Sequence, residues 1–304
     1  MNLIIIPVHI QKMNWAMSLM TGIRTSGGLS DDVSLAFVLS NELEVTKFSE
    51  LLVSLGFADR VILIDAANYS RVAFPSGLMT HALETNANRG IVNLKKFLGL
   101  HWAWAKSYDF VAVLDIDIYL SPNADLGKFF RILKSNYAAN RVIGVSLPGN
   151  FENDIFQTIN RKTLELFSQE DSAALQRDGV SDVFSWFFEP PTYAREDLSA
   201  LFDYMKQVHG SLGQFFLNLN WHTFDHTIFT YFRVLRGASL FSYDSLGIAT
   251  LPEHLSVAEL DMIRSAIGFE PPWISFFSEL LSAPSARLLF PDLGVFFHFD
   301  RVGR

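Results

Sequence analysis

Two carboxylates one residue apart, Asp115 and Asp117, directly follow the run Phe110-Val111-Ala112-Val113-Leu114. A run that is almost entirely apolar reads as a strand buried on both faces. Acidic groups at its end cannot belong to that interior, because an unpaired charge in a core is very costly. They must meet solvent, a partner or a cation. A hard divalent ion, Mg²⁺ or Mn²⁺, accepts a small number of carboxylates and keeps positions open for phosphate oxygens. The plainer alternative is a solvated pair at a strand end, capping the helix expected after Pro122. An Asp-x-Asp by itself is common; its place behind a buried strand makes this one a candidate metal site.

The surrounding pattern supplies elements to position the pair. Apolar runs at 3–8, 33–39, 61–64 and 110–114 read as strands. Helical spacing separates them at 15–23, at 42–55 with Gly56 closing the helix, and at 91–106. Residues 66–90 are rich in Asn, Ser, Gly and Arg and read as a loop. Strands alternating with helices predict a parallel sheet with right-handed crossovers. Ligands of such sheets sit beyond the carboxyl ends of the strands. His9, Asn41, Asp65 and Asp115 all fall at or just past such ends, a convergence the fold class itself entails. Further on, 142–147 reads as a strand, 161–175, 196–207 and 225–235 as helices, and 294–299 as a final strand. The aromatic stretch 184–191 ends in Pro190-Pro191 and reads as a rigid loop or edge element. Ser256-Val257-Ala258-Glu259 is a capping box opening another helix. There is no internal repeat or low-complexity tract.

Composition narrows the function classes. Hydrophobic residues make up 49% of the 304 and charged residues 18%, enough for a sizeable core. Many of the 28 Phe residues fall in the second half, which suggests an aromatic core or binding wall there. The net charge of −8 repels a nucleic-acid backbone, and no basic stripe reverses it. Anionic substrates stay open where a metal ion supplies the positive charge. The absence of cysteine removes disulfides, thiolate zinc sites and cysteine nucleophiles, and fits a reducing cytoplasm. The apolar start at 1–9 is short and broken by Pro7, so it reads as a buried strand, not a signal peptide. No run reaches the ~18 apolar residues of a membrane span. Asn68-Tyr69-Ser70 matches a glycosylation sequon, of little weight without a secretory signal.

In these features the chain resembles the GT-A glycosyltransferases, whose signature is a buried strand ending in Asp-x-Asp about a hundred residues into an alternating α/β domain. The resemblance implies a GT-A-like, Rossmann-type central sheet, mostly parallel and flanked by helices, followed by a helical, aromatic-rich acceptor region. Residues 1–125 would be the nucleotide-sugar-binding half and 126–304 the acceptor-binding and catalytic half of one compact domain. By the same resemblance Asp117 binds the metal directly, and Asp115 contacts the ribose or reaches the metal through water. Lys95 or Lys96, in the helix before the motif strand, would face the donor phosphates. His298, late in the chain, would complete the metal site, with Asp300 and Arg301 as neighbours that orient it or bind phosphate. Trp186 and Trp221 offer faces for an acceptor sugar. Asp225 is the candidate base of an inverting enzyme, and Glu189 the candidate carboxylate of a retaining one. Each of these also has a bland reading as helix cap, solvated face or core.

The implied reaction moves a sugar from a nucleotide-diphosphate sugar, UDP by resemblance, to a hydroxyl of a glycan or similar acceptor. His9, Asn41 and Asp65 would hold base and ribose. One rival is a phosphatase of the haloacid dehalogenase type, with Asp115 as nucleophile and Asp117 as acid/base. Its motif normally lies near the domain start, and no later Gly-Asp-x-x-x-Asp is evident here. A second rival is a non-catalytic nucleotide-sugar or glycan-binding protein. Dinucleotide enzymes and P-loop NTPases are disfavoured, since neither glycine signature occurs.

Overall fold

The computed structural model describes residues 1–74, 77–85, 90–116, 118–120, 125–146, 154–184, 191–242, 273–276 and 296–299. Its first part runs β1 (Asn2–Pro7), α1 (Met13–Thr25), β2 (Val33–Leu39), α2 (Glu42–Leu55), β3 (Val61–Asp65), α3 (Ala66–Ala73), α4 (Leu78–Thr85), α5 (Ile91–Ala105) and β4 (Phe110–Val113). It continues with β5 (Ile118–Leu120), α6 (Leu126–Ala138), β6 (Arg141–Ser146), α7 (Asp154–Leu164), α8 (Gln169–Arg177), β7 (Val183–Phe184) and β8 (Thr192–Ala194). The remaining elements are α9 (Arg195–His209), α10 (Leu212–Asn218), α11 (Asp225–Leu235), β9 (Ser239–Ser242), β10 (Trp273–Phe276) and β11 (Phe296–Phe299).

The central sheet has the order β3-β2-β1-β4-β8. The first four strands are parallel, and β8 runs antiparallel along β4. The expected fold class, a mostly parallel sheet flanked by helices, is therefore present. Period-two alternation divides its side chains between two cores. Leu3, Ile5, Ala36, Val38, Val111 and Val113 enter the core shared with α5 and α9 to α11. Ile4, Ile6, Leu35, Phe37, Phe110 and Ala112 enter the core shared with α1, α2 and α6. Both faces are covered, which is why these strands read as unbroken apolar runs. Two smaller sheets, β10-β11-β5 and β7-β6-β9, complete the pairing.

The strand order reverses between β1 and β4. In open α/β sheets the crevice beyond the carboxyl ends at such a reversal receives ligands. Val8 and His9 leave β1 there, and Asp115 leaves β4.

Two sequence expectations are corrected. Residues 66–90 contain the helices α3 and α4 and are not simply a loop. The two pack on each other: the Ser70 hydroxyl of α3 meets Thr80 Oγ1 of α4 at 3.0 Å. The single helix expected over 161–175 is two, because Ser168 leaves the helical conformation and caps α8 by accepting from Asp171 N. The expected capping box at 256–259 lies outside the described residues. No helix among the described residues is long and apolar enough to cross a membrane.

Candidate active site

Helix α5 is buried continuously over residues 93–100, two turns that include Lys95 and Lys96. Each ammonium must find partners inside the molecule or lose its charge. Successive helix positions point about 100° apart, so the two lysines serve different neighbours.

Lys95 Nζ donates to Val8 O at 2.6 Å and lies 3.5 Å from Glu44 Oε2. Glu44 also accepts from Ser40 N at 2.6 Å and Ile10 N at 3.3 Å. This clamp joins the ends of β1 and β2. Burial pushes the Lys95 pKa down to about 8, against the pull of Glu44. Burial raises Glu44, but Lys95 and the two N–H donors outweigh it and hold the carboxyl below its ordinary value. Lys95 is thus engaged by the protein, and only Lys96 is directed to the Asp-x-Asp end.

Lys96 Nζ sits 3.0 Å from Asp115 Oδ1 and 3.4 Å from Asp225 Oδ1. Burial alone would favour the neutral amine; the two carboxylates outweigh it and hold the lysine well above its usual value. Tyr193, fully buried on β8, donates its hydroxyl to Asp225 Oδ2. Burial and then Asp225 push that phenol well above its normal range. His226 is buried beside them, and desolvation lowers its pKa to about 4 despite Asp225, so its imidazole is neutral at pH 7.

Exposure falls from one end of this network to the other. The Asp115 side chain is 26% exposed, Lys96 3% and Asp225 0%. The expectation for Asp225 was a base, which must present an oxygen to the hydroxyl it deprotonates. In this structure Asp225 is sealed in, with Lys96 beside one oxygen and Tyr193 on the other, and it holds Lys96.

The approach of α11 to α5 is set by a tight contact. A Cβ on Gly90 would come within 2.7 Å of Asn220 Cα, so only glycine lets the α5 start meet the turn before α11. Asn93 Nδ2 then bonds Asn220 O at 2.8 Å. Trp221 on that turn is 47% exposed and packs edge-on against Phe224, 6.5 Å between centroids. Lys96 Nζ lies 5.9 Å over the Phe224 ring. An exposed aromatic face therefore stands two contacts away from Lys96.

Asn41 and Asp65 share a second feature, a pocket of about 500 Å³ lined also by Glu42, Leu43, Asn68 and Arg71. Each caps a helix, Asn41 by accepting from Glu44 N and Asp65 by accepting from Asn68 N. His9 is not in this lining. It accepts from Gln11 N at 3.2 Å, and its Nε2 lies 3.9 Å from Glu44 Oε1.

Asp117, Trp186, Glu189, Asp300 and Arg301 lie outside the described residues. The backbone of β11 pairs antiparallel with β5, and His298 is the register partner of Ile118. Among the described residues no group of three or more His, Asp or Glu could by itself hold a metal ion. Tyr193, Glu44 and Asn220 went unrecognised in the sequence. Glu44 did carry a signal, three residues after a helix-capping Asn; Tyr193 and Asn220 carried none.

The fold and site define an α/β chain with a lysine-paired carboxylate at the switch point of its sheet. No family model matches the sequence, and no curated protein matches it. Among solved structures the chain is similar to mouse xyloside xylosyltransferase 1 in its apo form. The identity is 13% and the TM-score 0.45, over 98% of this chain and 96% of that one. A likeness this distant carries no weight for function.

Proposed function

We propose that the protein is a glycosyltransferase that takes a sugar from a nucleotide-diphosphate sugar, with UDP as the expected nucleotide, and delivers it to a hydroxyl of a glycan-like acceptor. A divalent ion, Mn²⁺ or Mg²⁺, assists. The observation that carries the reading is a register. Strand pairing sets His298 opposite Ile118, the residue after Asp117, across 180 positions of sequence. The strand that carries the late histidine thus pairs with the strand that begins directly after the Asp-x-Asp motif, as expected if the two belong to one ligand set.

The donor chemistry fits such an ion. Asp115 and Asp117 supply hard oxygens, and His298 supplies an imidazole suited to Mn²⁺. When bound, the ion would stabilise charge building on the leaving diphosphate. Lys96 pairs with Asp115 and fixes the direction of its side chain. The pocket at Asn41 and Asp65 offers polar groups for base and ribose. Trp221 offers an exposed face on which the apolar side of a sugar ring can stack.

The test is sugar transfer by native protein and by Asp117→Ala, with a panel of UDP-sugars and Mn²⁺. Asp117→Ala should abolish transfer while circular dichroism stays native. Near-native metal-dependent turnover in that variant would overturn the reading. A thermal-shift screen of nucleotide sugars with and without Mn²⁺ identifies the donor, since a true ligand raises apparent stability by mass action.

A further inference from the structure

We infer that Lys96 is a placeholder for the cation: it occupies Asp115 until a divalent ion arrives and then shifts onto Asp225. This rests on the metal reading above. One ammonium is shared between two carboxylates, 3.0 Å from Asp115 Oδ1 and 3.4 Å from Asp225 Oδ1. The nearer carboxylate is the one that reaches solvent. The farther is fully buried, and its Oδ1 has only the long 3.4 Å contact with Lys96, whereas its Oδ2 is satisfied by Tyr193. Asp225 thus keeps one acceptor position turned to Lys96 and incompletely used.

That arrangement answers an electrostatic difficulty. A site for a divalent ion must carry negative charge before the ion comes, and buried negative charge is costly without a counter-ion. Lys96 supplies the counter-ion. An ammonium that stayed on Asp115 would then repel the arriving cation across a poorly solvated gap. A swing of Lys96 Nζ away from Asp115 and onto Asp225 Oδ1 lessens this repulsion, and the flexible lysine stem allows it. The Asp225 charge is never left alone, and Asp115 is released only when something replaces the lysine. Tyr193 is a positioning residue here: by holding Oδ2 it keeps Oδ1 aimed at Lys96.

The deciding experiment is a pair of crystal structures of the full chain, without and with Mn²⁺, alongside Mn²⁺ titrations of the native protein, D115N, D225N and the double variant K96M/D225N. Bound Mn²⁺ should reverse the two Lys96 distances, making Asp225 the nearer partner. D225N removes the destination and should weaken Mn²⁺ by about tenfold, a coupling of the size found within one ion-pair network. K96M/D225N removes placeholder and destination together and should bind at least as tightly as native protein. It remains informative if D225N alone fails to fold. Net charge alone would give the same order of affinities, so the position of Lys96 Nζ decides. A Mn²⁺-bound structure with Lys96 still nearer Asp115, or a double variant that binds as weakly as D225N, overturns the inference and leaves the metal reading standing. Native protein that binds no Mn²⁺, or D115N that binds it as native does, overturns the metal reading, and the placeholder role with it.

Discussion

Glu44 and Lys95 meet inside the molecule with 3.5 Å between Oε2 and Nζ, although one lies in the first turn of α2 and the other in α5. Lys95 also reaches Val8 O at the end of β1. The pair therefore fixes the spacing of two strand ends that border the crevice. Removing one partner strands the other's charge, so Glu44→Gln or Lys95→Met alone should cost about 3–5 kcal/mol. The double variant E44Q/K95M should recover a large part of that loss. Urea unfolding of the three proteins measures it, and single-variant losses below about 1 kcal/mol, the range of exposed pairs, would show that the pair is not buried in solution.

Gly99 lets α5 lie close on the sheet. A Cβ there would come within 2.9 Å of both Ile5 Cγ2 and Val38 Cγ2. Gly99→Ala should destabilise by about 1–3 kcal/mol through overpacking. Gly90→Ala meets backbone instead, at Asn220, and should push the turn before α11 away from α5. It should therefore weaken Mn²⁺ binding as well as lower the melting temperature. A Gly90→Ala protein with native metal affinity would show that this turn does not set the position of Asp225.

His101 is packed among Phe74, Trp104, Phe202 and Phe216 and bonds the Tyr69 hydroxyl at 2.7 Å. Burial lowers its pKa to about 4 from 6.5. Below pH 6.5 the unfolded chain takes up a proton that the native histidine refuses, so stability falls as pH drops from about 6.5 to about 4. His226, also lowered to about 4, adds in the same window and with the same sign. Chemical denaturation at pH 7, 5.5 and 4.5 should show the decline, and His101→Phe should reduce its slope. An unchanged slope in that variant would mean that His101 is solvated in the native protein.

Trp221 tests the acceptor side. Its exposed ring packs on Phe224 alone among the described aromatic rings. Trp221→Ala should change stability by no more than about 0.5 kcal/mol, as for surface positions generally. If the ring stacks on a sugar, KM for the acceptor rises while Mn²⁺ affinity stays native. An unaltered KM removes Trp221 from the binding face.

The central sheet was legible because its signal is local. Each of the four parallel strands is one apolar run, α11 spans the residues its period sets, and α2 runs between its Asn41 and Gly56 caps. The site was legible only as residue types at strand ends. Sequence could not tell Lys95 from Lys96, since adjacent positions on a helix part company only once the neighbours are in place. It could not foresee that Asp225 would be sealed in, because Tyr193 and Lys96 reach it from β8 and α5, 32 and 129 positions away. The helices α3 and α4 were hidden for a related reason: each is only eight residues long, and Ala66, Ala67, Met79 and Leu83 show their role only once they are packed in the core.

The pairing of β8 with β4 has a consequence for dissecting the molecule. Ala112, Val111 and Phe110 are bonded in register to Thr192, Tyr193 and Ala194, so the outer seam of the first half's sheet is closed by chain that is synthesised later. A fragment ending at residue 125 would present β4 as a bare flank of unpaired amides and carbonyls, an invitation to adhere to other copies. It would also lack Tyr193 and Asp225, leaving Lys96 with a single carboxylate. The two halves are better regarded as mutually templating than as modules that can be expressed apart.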